Sequence, residues 1–179
     1  MQGNEHLFLG WVLALFLAAS PAFGATVTGQ VVGVSDGDTI TVLDADRIQH
    51  KIRLTGIDAP EKAQAFGERS TENLSRLVHG KEVEVRWHKR DRYGRLVGTV
   101  LTADAACKGT NCPRIVDAGL AQIAAGLAWW YRDYAKEQSA EDAQRYRLAE
   151  EDARRRHVGL WAGPEPSPPW DWRKAKKQP

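Results

Sequence analysis

Three short clusters hold the residue types that could do chemistry: Asp36-Gly37-Asp38-Thr39, then Arg53 with Asp58-Ala59-Pro60-Glu61, then Asp91-Arg92-Tyr93-Gly94-Arg95. Carboxylates bind hard divalent cations through oxygen. Guanidiniums grip phosphate bidentately. A metal, a phosphate and a spare carboxylate base are the parts needed for phosphodiester hydrolysis. Each cluster lies at the end of a segment that alternates like a strand. A small barrel that gathers strand ends would therefore assemble three carboxylates and two guanidiniums around one point.

Singly, these residues have plainer readings. Asp-Gly-Asp favours a turn, where Asp36 holds the backbone or orients a water. Glu61 follows Pro60 at a helix start, where a carboxylate suits the helix dipole. Arg53 can pair with an acidic neighbour across its strand. Arg95, after a Tyr-Gly turn, can be a solvated surface residue.

The elements that must position them follow from periodicity. Segments 26–34, 38–43 and 47–57 read as strands, and Pro60 ends the third. From Lys62 to His79 the spacing turns helical, with Phe66, Leu74, Leu77 and Val78 near one face and Gly80 as the stop. Val83, Val85 and Trp87 alternate in a fourth strand, and 96–101 reads as a fifth. Residues 115–125 read as a short helix. Ser139, with Asp142 three positions on, opens another that runs to about His157. The expected architecture is an α+β fold: a five-stranded OB-like barrel with three packed helices.

The chain has 179 residues, 27% charged, with net charge +2. One core-forming domain is expected, at residues 25–162, with a Pro/Lys-rich disordered tail at 163–179. The bulk charge makes no case for nucleic acid, but Arg86–Arg95 holds four Arg and one Lys against a single Asp. The run Arg154-Arg155-Arg156 reads as a solvated face. Residues 1–24 read as a signal peptide: an apolar stretch of 13 residues, Leu7–Ala19, too short for a membrane span, then small residues ending at Gly24 or Ala25. Its first residues carry Glu5 and no Lys or Arg, so a retained anchor is the alternative. A periplasmic or secreted protein without a stable membrane anchor is expected. Export makes Cys107 and Cys112 a disulfide rather than half of a zinc site.

The motifs in this order resemble the staphylococcal nuclease family over residues 27–161. Arg53-Leu54-Thr55-Gly56-Ile57-Asp58-Ala59-Pro60-Glu61, Gly126-Leu127-Ala128-Trp129-Trp130 and Gly159-Leu160-Trp161 join the first and third clusters in carrying the likeness. The resemblance implies that Asp38, Asp58 and the carbonyl of Ala59 bind Ca2+ and that Glu61 is the general base. It assigns Arg53 and Arg95 to the phosphate. Arg92, Tyr93 and Tyr134 are candidates for substrate contact, whereas Trp129 and Trp130 read as core or groove wall. The implied activity is calcium-dependent cleavage of DNA and RNA, single strands favoured, to 3′-phosphorylated products by a monomer with no protein partner. A nucleic-acid binding module that has lost catalysis is the alternative, against which the intact residue set argues. The chain departs from the family's best-known member at Ala59, in the added cysteine loop, and around Tyr131–Tyr134. Its short loop after Glu61 is expected to leave that side of the site open.

Overall fold

A computed structural model describes residues 24–109, 111–163 and 165–177. The expected signal peptide, apart from Gly24, lies outside them. The strands are β1 (Ala25–Val34), β2 (Thr39–Asp44), β3 (Gln49–Leu54), β4 (Ile57–Asp58), β5 (Glu82–Arg90), β6 (Leu96–Ala103), β7 (Arg114–Asp117) and β8 (Trp129–Trp130). The α-helices are α1 (Gly67–Val78), α2 (Ala118–Ala124), α3 (Ala140–Arg155) and α4 (Pro169–Ala175). Among the described residues no helix is long and apolar enough to cross a membrane.

The sheet runs β3-β2-β1-β5-β6-β7, and a parallel pairing of β3 with β6 closes its first five strands into the expected barrel. Closure sets Arg53 against Val97. The β2–β3 register sets Thr39 opposite Arg53. The first cluster, Arg53 and the Arg95 turn thus meet at one mouth of the barrel by register alone. The interior is filled by alternating residues such as Val31, Val42, Ile52, Leu54, Val83, Val85 and Val100. Ser70, Leu74 and Val78, four residues apart, give α1 its buried face.

Three boundaries differ from expectation. The third strand stops at Leu54, because Gly56 turns the chain with φ +73° and frees Ile57–Asp58 to pair with β8 instead. Helix α1 starts at Gly67, not Lys62. The chain first folds back through turns in which Gln64 N–H donates to Glu61 O and Gly67 N–H to Gln64 O. Residues 115–117 extend the sheet as part of β7, and Asp117 caps α2 by accepting from the N–H groups of Gly119 and Leu120. Helix α3 starts as expected, with Ser139 accepting from Asp142 N–H.

The tail is the largest correction. Expected to be disordered, it carries α4, so the described residues form four α-helices where three were expected. Pro169 stands at N1 or N2 and is buried. Trp170 joins a second core of Trp129, Ala153, Leu160 and Trp161. Trp129 is core, as expected, and the exposed guanidiniums of Arg155 and Arg156 pair with Asp152.

Cys107 and Cys112 are disulfide-bonded with Cα atoms 5.9 Å apart. Exported protein should show no thiol to Ellman's reagent before reduction and two after it. Reduction should leave most of the activity intact, since among the described residues the hydrogen bonds of this loop stay within it. Two free thiols in the native exported protein would contradict the assignment.

Candidate active site

One string of hydrogen bonds links the three clusters. Arg95 Nη1 donates to Thr39 Oγ1 at 3.3 Å, and Thr39 Oγ1 donates to Asp38 Oδ1 at 2.9 Å. Arg53 then bridges the two aspartates: Nη1 lies 2.9 Å from both Asp38 oxygens, and Nη2 lies 3.1 Å from Asp58 Oδ1 and 3.3 Å from Ile57 O. Asp38 is 4% exposed and Asp58 fully buried. Buried carboxylates of this kind need cationic partners.

The backbone also holds Asp38. Asp38 O accepts from Leu54 N–H, and Asp38 Oδ2 accepts from Ala59 N–H at 3.1 Å. Gly37 leaves no room for a side chain: a Cβ there would lie 1.9 Å from Ser70 Oγ and 2.7 Å from Ala59 Cβ. Beneath the turn, buried Gln122 donates to Gly37 O at 2.8 Å and to Ser70 O at 3.0 Å. Gln122 was not foreseen, and a lone Gln inside a helix offers no sequence signal for such a role. Asp36 accepts from Asp38 N–H at 3.1 Å, which matches the turn-holding reading. Burial and the neighbouring Asp38 charge push its carboxyl up to about 6.

Arg95 is held from within its own cluster. Its Nε and Nη2 lie 2.8 and 2.7 Å from Asp91 Oδ2. Burial alone would raise the Asp91 carboxyl, but Arg95 and the N–H groups of Arg95 and Tyr93 hold it below the usual range. Asp91 is therefore a fixed anion that orients the guanidinium. Tyr93, 68% exposed, lies beneath the guanidiniums of Arg92 and Arg95, 4.9 and 5.5 Å from its centroid. Tyr134 packs against Tyr131, with Lys89 over its ring. Lys89 also pairs with Glu137, so the basic stretch is partly neutralised.

At the other end of the string lies Arg173, from α4. It donates to Asp58 Oδ2 at 2.7 Å, Asp58 Oδ1 at 3.2 Å and Glu61 Oε1 at 2.8 Å. Gln64 Nε2 donates to Ser167 O. The side expected to be open is thus covered by the tail. Sequence reasoning missed Arg173 because the segment was judged by its composition. The signal that could have found it was Pro169 at a helix start followed by Trp170, Trp172 and Arg173.

A family model described as "Staphylococcal nuclease homologue" matches residues 51–163. The chain belongs to that family. It is 43% identical to the protein called "Protein ParB" from Escherichia coli, over 90% of this chain and 87% of the relative. It is 40% identical to a "Micrococcal nuclease" from Shigella flexneri, over 92% and 90% of the two chains. The same identity relates it to an "Uncharacterized endonuclease" from Escherichia coli O157:H7, over 92% and 96%. Asp38 precedes the span matched by the family model, but the structure joins it to that span through Arg53.

The residues present suit a calcium ion chemically. Asp38 and Asp58 are hard oxygen donors, and both already draw positive charge to themselves. No group of three carboxylate, His or Cys side chains converges on a metal position among the described residues. Backbone and water oxygens would have to complete the shell, as calcium tolerates.

Proposed function

We propose that the protein is a calcium-dependent nuclease that hydrolyses the phosphodiester bonds of DNA and RNA, single strands foremost, leaving 3′-phosphorylated products. The observation that carries this reading is the bridge of Arg53 between Asp38 and Asp58, with Glu61 and Arg95 on the same string. Asp38, Asp58 and the carbonyl of Ala59 would hold the ion. When bound, calcium supplies positive charge to a phosphoryl oxygen.

The rest is work for the chain's own residues. Glu61 orients the attacking water and takes its proton. Arg53 and Arg95 face the non-bridging oxygens, Arg53 in ground and transition states alike, Arg95 mainly as charge grows there in the transition state. Water attacks phosphorus as the 5′-oxygen leaves. Tyr93 and Tyr134 stack on bases, and Arg92 adds charge along the strand. The apolar stretch Leu7–Ala19 supports the reading of an exported protein, acting in the periplasm or the medium, and a monomer is the proposed state.

Cleavage of single-stranded DNA is the test. An excess of calcium chelator should abolish it, and added calcium should restore it. Full activity in excess chelator would sink the calcium reading. Binding without cleavage in either condition would favour the inactive module.

A further inference from the structure

Resting on the calcium reading, one observation goes further: Arg173 occupies the oxygens that this reading gives to other partners. It lies on both oxygens of Asp58, a proposed ligand, and on Glu61, the proposed base. Its helix is docked independently of that latch. The Trp170 ring stacks on Tyr131 at 5.2 Å with planes 5° apart, and meets the Trp129 edge at 6.4 Å. The stretch 165–168 that leads into α4 has no regular structure, and its Ser167 carbonyl accepts from Gln64. A seven-residue helix is too short to be stable alone, so these contacts hold it.

We propose that α4 is a built-in plug, in which Arg173 stands in for the cation and must leave when a divalent ion takes Asp58. Arg173 covers both Asp58 oxygens, and Asp58 already carries the Arg53 charge, so a divalent ion arriving there would meet two guanidiniums at once. The carboxylate of Glu61, moreover, is a weaker base toward water while its Oε1 is bonded to a guanidinium. In the docked state Asp58 is neutralised on one side by Arg53 and on the other by Arg173. The closed site is thus electrostatically satisfied without metal and idle. A divalent ion binds only the fraction of molecules in which α4 has lifted, so its apparent affinity is reduced by that fraction. The closed site in turn limits cleavage where calcium is scarce.

The test uses the full chain and no nucleic acid. Calcium binding is measured by calorimetry, and lifting of α4 by amide hydrogen exchange over residues 165–177. Arg173→Gln should bind calcium about tenfold more tightly than wild type, as expected if the open form is a minor state of about ten per cent. Removing a nearby positive charge would itself favour a cation, so Trp170→Ala provides the separation. It keeps Arg173 but undocks the helix, and should also tighten binding severalfold. In wild type, saturating calcium should speed exchange in 165–177, and in Trp170→Ala exchange should be fast from the start. Calcium affinity unchanged in Trp170→Ala, or α4 equally protected with and without calcium, would overturn the plug alone. No calcium binding by wild type or either variant would overturn the calcium assignment and the plug with it.

Discussion

Glu61→Gln should lower turnover by roughly 10²–10⁴-fold, the range for loss of a general base, without weakening calcium binding. Glu61 is separate from the buried aspartate pair. Its side chain is 43% exposed, and among the described residues only Arg173 is bonded to its carboxylate. The amide keeps the shape and can still accept from Arg173, but it cannot take a proton from water. Arg95→Lys is the companion experiment. Lysine cannot reproduce the guanidinium that Asp91 orients through two nitrogens. Turnover should fall by roughly 10²–10³-fold, typical of a lost transition-state donor. Affinity for a nucleoside 3′,5′-bisphosphate should stay near wild type, since an interaction made only in the transition state lowers turnover and efficiency equally. Turnover at saturating calcium, inhibitor calorimetry and circular dichroism together decide the matter. A folded Glu61→Gln variant that turns over near normally removes Glu61 from the mechanism.

What the sequence made legible was what one period or one motif encodes. Val83 and Val85 announce a strand by alternation, and Ser139 with Asp142 announces a helix start. Arg53, Asp58 and Glu61 share one short motif, so their convergence needs little tertiary knowledge. Other features depend on non-local events. The interruption after Leu54 is decided by Trp129 and Trp130, more than seventy positions away, which give Ile57 and Asp58 another partner. Residues 115–117 look helical because they run on into α2 without a break, yet β6 offers an open edge that claims them first. Gln122 gains its role only when α2 crosses beneath Gly37.

The tail shows why composition misleads when read without its surroundings. Pro and Lys enrichment means that a segment cannot build a core of its own. It does not prevent docking on a core already present. Trp170 finds Tyr131 and Trp129, and Arg173 finds two acids left at the barrel mouth. Clustered carboxylates at a cation site create a demand for positive charge that any nearby guanidinium can meet. The same demand draws calcium in the proposed function and Arg173 in the resting protein.

Arg53→Met should destabilise the calcium-free protein by about 3 kcal/mol at neutral pH, besides abolishing measurable cleavage. Removing one partner of a buried ion pair leaves an uncompensated charge, at roughly 3–5 kcal/mol. The lower end applies here because Arg173 still caps Asp58. Among the described residues Asp38 keeps only the Thr39 hydroxyl and the Ala59 N–H. That loss is a large share of the roughly 5–15 kcal/mol that holds a domain together. Its pH dependence identifies the cause. Burial raises the Asp58 carboxyl and the Asp38 charge adds to this, while Arg173 and Arg53 oppose it. Without Arg53 it must rise further. A carboxyl raised in the folded state favours folding below its unfolded value, about 4, and that contribution is lost as pH rises through the folded value. The gap between Arg53→Met and wild type should therefore be widest at pH 7–8 and narrow toward pH 4. Urea unfolding at those pH values, in chelator, measures it. A gap that stays constant with pH would mean that Arg53 stabilises the fold by packing, and that its charge is not what holds the two aspartates together.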